Sequence, residues 1–328
     1  MSENANGTPP QFSYGGQAVI EGVMMRGAHN AAIAVRNPEG QIVVHEQALN
    51  ATLYRGRISK LPFVRGLILL WDALGLGTRA LMWSADVALG EEEDVSFDGP
   101  IGYVTIAFSF ILGIGLFFLL PAAASSGAEG LLDTELPGVV ENILEGLIRL
   151  GLLIAYIWAI GHLPDVKRLF GYHGAEHKTI NAYEAGAELT PEEVIKYPIE
   201  HPRCGTAFLL TVAVISVILF ATLGRPSLPL LLLSRVILIP VVAGISYEYI
   251  RFTAKHINNP VIRVIIKPNL ALQSLTTNQP DLGMCEVAIV SFKRVLASEG
   301  IISDEEATIP EPNPEAAAPR PEPTPVGD

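Results

Sequence analysis

Four stretches of about twenty residues carry almost no charge, and they constrain the fold more than any other feature. They cover residues 101–121, 143–163, 206–223 and 228–250. Glu145 and Arg149 interrupt the second near its start, and Arg235 and Glu248 fall in the fourth. At a rise of 1.5 Å per residue, runs of this length match a hydrocarbon core of roughly 30 Å. Buried helices of a large soluble protein are the alternative, but uncharged runs this long favour a membrane. Composition agrees: the chain is 49% hydrophobic and 17% charged, against about 25% charge in soluble domains. That balance excludes a disordered chain, the net charge of −12 excludes a nucleic-acid binder driven by bulk charge, and two cysteines exclude a disulfide scaffold.

Lysine and arginine set the expected orientation. The segment before the first run holds seven, the 122–142 connection none, the 164–205 connection five, the third connection only Arg225, and the segment after the fourth run seven. Basic-rich and basic-poor segments alternate, as the positive-inside rule requires. Both termini and the 164–205 loop are therefore expected in the cytoplasm, where Cys204 and Cys285 stay reduced. A cleavable signal peptide is not expected, because the N-terminus is polar. A fifth stretch, 61–83, is apolar except for Arg65, Asp72 and Arg79 at seven-residue spacing. One narrow charged stripe suits an interfacial or protein-packed helix; a fifth crossing would break the charge alternation.

Ahead of the runs, residues 32–36 and 41–45 are β-rich and flank Asn37-Pro-Glu-Gly40, a turn sequence, while 16–27 supplies another strand bounded by glycines. Past the fourth run, 286–290 reads as a short strand and 291–298 as helix. The expected fold is thus a four-transmembrane-helix bundle carrying a small cytoplasmic α+β module built from both ends of the chain. Residues 13–60 and 251–302 are expected to form the module, and 1–12 a disordered N-terminus. Residues 303–328, rich in acidic residues and proline, are expected to be a disordered tail.

The 164–205 loop carries the candidate chemistry. His173, Glu176 and His177 form an H-x-x-E-H pattern, as in inverted zinc peptidases. In a helix the two imidazoles lie one turn apart and reach one metal, with the glutamate bordering the same face as a general base. Gly174 weakens the helical assumption, and a structural hydrogen-bond network explains the same residues. His201-Pro-Arg-Cys204, just before the third run, offers His201 or Cys204 as a third ligand, and Arg203 to stabilise an oxyanion. Glu184 is on a similar face to His177 but about 10.5 Å along the axis, too far to share an ion. Glu248 either reaches the site or forms a salt bridge at the headgroup level.

The motifs Gly16-Gln-Ala-Val-Ile-Glu-Gly-Val-Met-Met-Arg-Gly27, Pro62-Phe-Val-Arg-Gly66, His173-Gly-Ala-Glu-His-Lys178, His201-Pro-Arg-Cys-Gly-Thr206, Ala243-Gly-Ile-Ser-Tyr-Glu248, Gln273-Ser-Leu-Thr-Thr277 and Glu286-Val-Ala288 resemble the YqhQ-like bacterial membrane family, domain of unknown function 1385. The resemblance covers about residues 13–297. It implies a multi-pass protein of the bacterial cytoplasmic membrane, in a family sometimes described as predicted metal-dependent enzymes, and it brings no substrate. Two functions are thus expected to compete. One is a Zn²⁺-dependent hydrolase acting on a membrane peptide or lipid at the inner face of the lipid bilayer. The other is a non-enzymatic membrane adaptor braced by a structural His/Glu/Cys cluster or a structural zinc.

Overall fold

The computed structural model describes residues 14–49, 61–90, 100–121, 123–125, 127, 137–201, 204–222 and 228–316. Strands β1 (Gly15–Val19), β2 (Gly22–Arg26), β3 (Asn30–Arg36) and β4 (Ile42–Ala48) come first. Helices α1 (Val64–Trp71) and α2 (Gly77–Leu89) follow, joined by a π-helical turn, Asp72–Leu76. Then come α3 (Pro100–Ile114), which runs into a second π turn, α4 (Gly138–Ile160), α5 (Pro164–Glu184), α6 (Pro191–Val194), α7 (Gly205–Ala221) and α8 (Leu228–Lys255). The chain closes with α9 (Pro260–Ile265), α10 (Lys267–Thr276) and α11 (Leu282–Ser298).

The sheet is an antiparallel meander in the order β1-β2-β3-β4. Its period-two alternation serves two cores. Val23, Met25, Ala32 and Ala34 face α5 and α11, while Val19, Met24, Ala31, Ile33 and Val35 face Leu76 and Ala80 at the start of α2. The 16–27 segment, expected as one strand, is a hairpin turning at Ile20-Glu21, with Glu21 at φ 50°. That left-handed backbone is disfavoured for a side-chain-bearing residue. The Glu21 carboxylate offsets it by accepting from Arg168 Nε at 2.7 Å and Nη2 at 2.6 Å, and from the Tyr172 hydroxyl at 3.1 Å. The 37–40 turn forms as expected: Asn37 Oδ1 accepts from the Glu39 and Gln41 amides, and Gly40 has φ 80°.

Residues 286–290 are helical, not a strand. Asp281 caps α11 by accepting from the Met284 amide at 2.8 Å, and Met284, Val287, Ala288, Ser291 and Val295 form a buried helical stripe. This helix packs on β2, β3 and α5, so both ends of the chain build one module. Buried Arg36 joins the sheet to α11, donating to Glu286 at 2.6 Å and to the Gly40 and Gly283 carbonyls. Residues 303–316, expected in the free tail, run back onto the module instead. Ala307 is buried, and the Asn313 amide donates to the Gly40 carbonyl at 3.0 Å. Residues 1–12 and 317–328 lie outside the described residues.

Of the four apolar runs, two form helices long and apolar enough to cross a membrane among the described residues: Gly138–Ile160, and Ile237–Lys255 within α8. The other two give shorter apolar helices, α7 with 17 residues and α3 with 15. α4 and α8 both pack on α7, and α10 crosses α7. In α4, Glu145 and Arg149 pair at 2.5 Å, and Arg149 Nε donates to the Phe117 carbonyl in the π turn Gly115–Leu119. A π turn leaves carbonyls without their usual helical donors, and here an arginine supplies one. The 61–83 stretch is the interrupted α1–α2 helix. Its Arg65 donates to Glu248 of α8 at 2.6 Å, while Gly66 abuts Gly244 closely enough that a Cβ would meet its Cα at 2.9 Å.

Candidate metal centre

Helix α5 positions the centre. Pro164 starts it at a position where a missing amide costs nothing, and Asp165 sits in its first turn. From Gly171 to Ala182 nearly every residue is buried, although the segment is rich in polar side chains. A buried polar group needs a partner, and most of these have one. Lys178 Nζ donates to the Ile195 and Tyr197 carbonyls, and Thr179 donates to the Ala175 carbonyl. The Gly16 amide donates to Glu176, whose carboxyl is pushed above the usual range by burial, outweighing His173 nearby and that amide.

Gly174, which weakened the helical assumption, is helical for a packing reason. A Cβ there would collide with the Asn278 carbonyl oxygen and come within 2.9 Å of Ile199 Cδ1. Its absence lets two segments close over the helix. Each contributes a carbonyl: Thr276 O lies 2.8 Å from His173 Nδ1, and Ile199 O lies 2.6 Å from His177 Nδ1. Carbonyl oxygens only accept, so Nδ1 of each ring carries a proton and donates it, which leaves Nε2 as the atom that can ligate.

His173 Nε2 meets a thiol. His173, His177 and Cys204 each present a donor atom, and the three lie within 4.8 Å of one another. His173 Nε2 is 3.2 Å from Cys204 Sγ. Cys204 caps α7, with the Thr206 amide donating to its sulfur at 3.4 Å and the Thr206 hydroxyl 3.1 Å away. His177 is fully buried, and its Nε2 has no hydrogen-bond partner; among the described residues only Arg36 Nε shares that condition. An unpaired buried polar atom costs about 1–3 kcal/mol. A cation removes that cost. Two imidazoles and a sulfur form a borderline-soft donor set that fits zinc. Their backbone-bonded Nδ1 atoms are the outer partners that metal-binding histidines require.

The remaining expected residues are distributed around this group. Glu176 Oε2 lies 4.0 Å from His173 Nε2. The buried His201 ring packs against His177 with centroids 5.5 Å apart, outside the donor group. Its backbone is clasped by Gln273, which donates to the His201 carbonyl at 2.8 Å and accepts from its amide at 3.1 Å. Of the two third ligands left open by the sequence, Cys204 joins the histidines. Arg203 lies outside the described residues. Glu184 ends α5 beyond the group, and Glu248 is engaged by Arg65. Sequence reasoning missed Gly16, Ile199, Gln273 and Thr276, because three of these act through backbone atoms that leave no side-chain signature.

Fold and site define a class: a mostly helical chain with a small N-terminal antiparallel sheet, whose central buried helix brings two histidines to a cysteine from the next long helix. The chain belongs to the family described as "Protein of unknown function (DUF1385)", whose model matches residues 61–298. The uncharacterized protein YqhQ of Bacillus subtilis (strain 168) is 34% identical over 306 residues, covering 89% of this chain and 94% of that protein. No solved structure matches the chain.

Proposed function

We propose that this chain is a membrane-bound, zinc-dependent hydrolase, with its centre at the cytoplasmic face of the bilayer. The observation that carries the reading is the convergence of His173, His177 and Cys204, together with a buried His177 Nε2 that has no hydrogen-bond partner. The four apolar runs are its membrane spans. Only 17% of the most apolar window of α4 and 28% of that of α8 is buried within the protein, whereas a soluble core helix would be mostly enclosed. Val104, Phe108 and Ile111 of α3 and Ile218 of α7 are each more than 60% exposed, more apolar surface than water tolerates on a monomer. The alternation of basic loops supports a centre on the cytoplasmic side.

His173, His177 and Cys204 would hold the zinc, and bound zinc supplies Lewis acidity at a point bordered by Glu176. Glu176 holds or moves a proton there, oriented by the Gly16 amide. The oxyanion role of Arg203 rests on its place next to Cys204 in sequence. A centre at the headgroup level favours a membrane peptide or a lipid as substrate. The depth of the site supports a second reading, a structural zinc in a non-enzymatic scaffold: His177, His201 and Cys204 are all buried.

Metal analysis of the purified full-length chain tests the reading. About one zinc per chain is expected, lost in the His173→Ala/His177→Ala double variant and kept in Glu176→Gln. Failure of the zinc-loaded Glu176→Gln chain to complement a deletion strain supports the hydrolase. Full complementation contradicts it and leaves the structural zinc. Wild-type protein without stoichiometric metal contradicts both.

A further inference from the structure

Helix α9 follows α8 after four residues, so on the membrane reading above it starts at the cytoplasmic surface. Asn259 fixes its entry, accepting from the Val261 amide at 2.9 Å. A surface helix of a soluble protein has one apolar face, turned inward. This one has two. Ile262 and Ile266 form the buried stripe, whereas Val261, Val264 and Ile265 lie on a second stripe exposed by 62, 61 and 44%. Phe252, on the last turns of α8, is 55% exposed as well.

Charge complements that second stripe. Between Glu248 and Asp281 there is no acidic residue, while Arg251, Lys255, Arg263 and Lys267 are all exposed. At 100° per residue, Lys267 falls beside Val264 at one edge of the exposed apolar stripe, and Arg263 falls between Lys267 and the buried stripe. An exposed apolar arc bordered by a lysine, in a stretch rich in exposed cations and without a carboxylate, is the pattern of a helix lying in an anionic headgroup layer.

We propose that α9 is an interfacial anchor that docks on anionic phospholipid. Val261, Val264 and Ile265 enter the acyl boundary, Lys267 and Lys255 meet the phosphates, and Arg263 adds positive charge on the same turn. The proposal rests on the membrane reading of α4 and α8, and not on the metal centre. α10, which follows α9 directly, carries Gln273 and Thr276 to His201 and His173, so the anchored strap ends at the centre.

Hydrogen exchange of the full-length chain in lipid nanodiscs tests it. With discs of phosphatidylcholine containing phosphatidylglycerol, amides of 260–267 are expected to exchange about tenfold more slowly than in pure phosphatidylcholine. Arg263→Glu/Lys267→Glu is expected to abolish the difference while slow exchange in α11 persists, and the lipid comparison on the wild-type chain stands even if that variant misfolds. Equal α9 exchange in both lipids, with α4 and α8 protected, overturns the anchor alone. Fast exchange throughout α4 and α8 overturns the membrane reading and the anchor with it. Protection that needs two chains per disc rather than anionic lipid marks a second copy as the occupant and also overturns it.

Discussion

His177 and Cys285 show how burial assigns different fates to reactive side chains. His177 has one ring nitrogen bonded to the Ile199 carbonyl and the other buried without a partner, in a residue grouped with a second histidine and a thiol. Cys285 is as deeply buried but sits among apolar neighbours in α11, where burial pushes its thiol up to about 12. The reactive form of a thiol is the thiolate. A raised value keeps Cys285 protonated until the pH climbs toward 12, leaving about one part in 10⁴ ionised at pH 8. Alkylation of the folded chain at pH 8, read by mass spectrometry, is therefore expected to spare Cys285, with modification only in denaturant. Rapid modification of the native chain there would contradict its placement. At this scale the sequence was informative where chemistry resides in side chains. H-x-x-E-H spacing exposes His173 and His177, but the carbonyls of Thr276 and Ile199 that orient them are invisible until the backbone is folded.

Helix α5 is defined as much by what it lacks as by its ligands. Gly174 faces Asn278 and Ile199, the neighbours of the two segments that orient His173 and His177. Gly174→Ala raises intrinsic helix propensity yet pushes both segments outward. The expected result is a zinc affinity lowered about 10–100-fold, the cost of disturbing outer-shell partners, measured by competition with a chromogenic chelator. Unchanged affinity would show that those carbonyls do not matter. Element type was legible wherever periodicity was long, as in the four apolar runs and the 32–45 hairpin. It misled at 286–290, where five residues read as β-branched strand while the wider 284–295 window keeps a helical stripe. The 16–27 hairpin was missed because Ile20-Glu21 has no glycine or asparagine, and its strained Glu21 is held by Arg168, distant in sequence.

For the whole molecule, the sequence reading expected the two ends of the chain in one module, and in the structure α11 packs on the N-terminal sheet. It did not foresee residues 303–316 on that module, since an acidic, proline-rich segment has little apolar surface, and Ala307 alone provides the buried contact. Nor does apolar length decide how many runs cross a bilayer, because α3 and α7 fall short of α4 and α8. What unites the architecture is that sheet, α10 and α7 all converge on α5: Gly16 reaches Glu176, Thr276 reaches His173, and Cys204 closes the group. Zinc-edge X-ray absorption on the purified full-length chain probes that convergence directly. The expected spectrum has one sulfur at about 2.3 Å and imidazole nitrogens at about 2.0–2.1 Å, with the sulfur shell lost in Cys204→Ser. A shell of light atoms only, unaltered by Cys204→Ser, would contradict it.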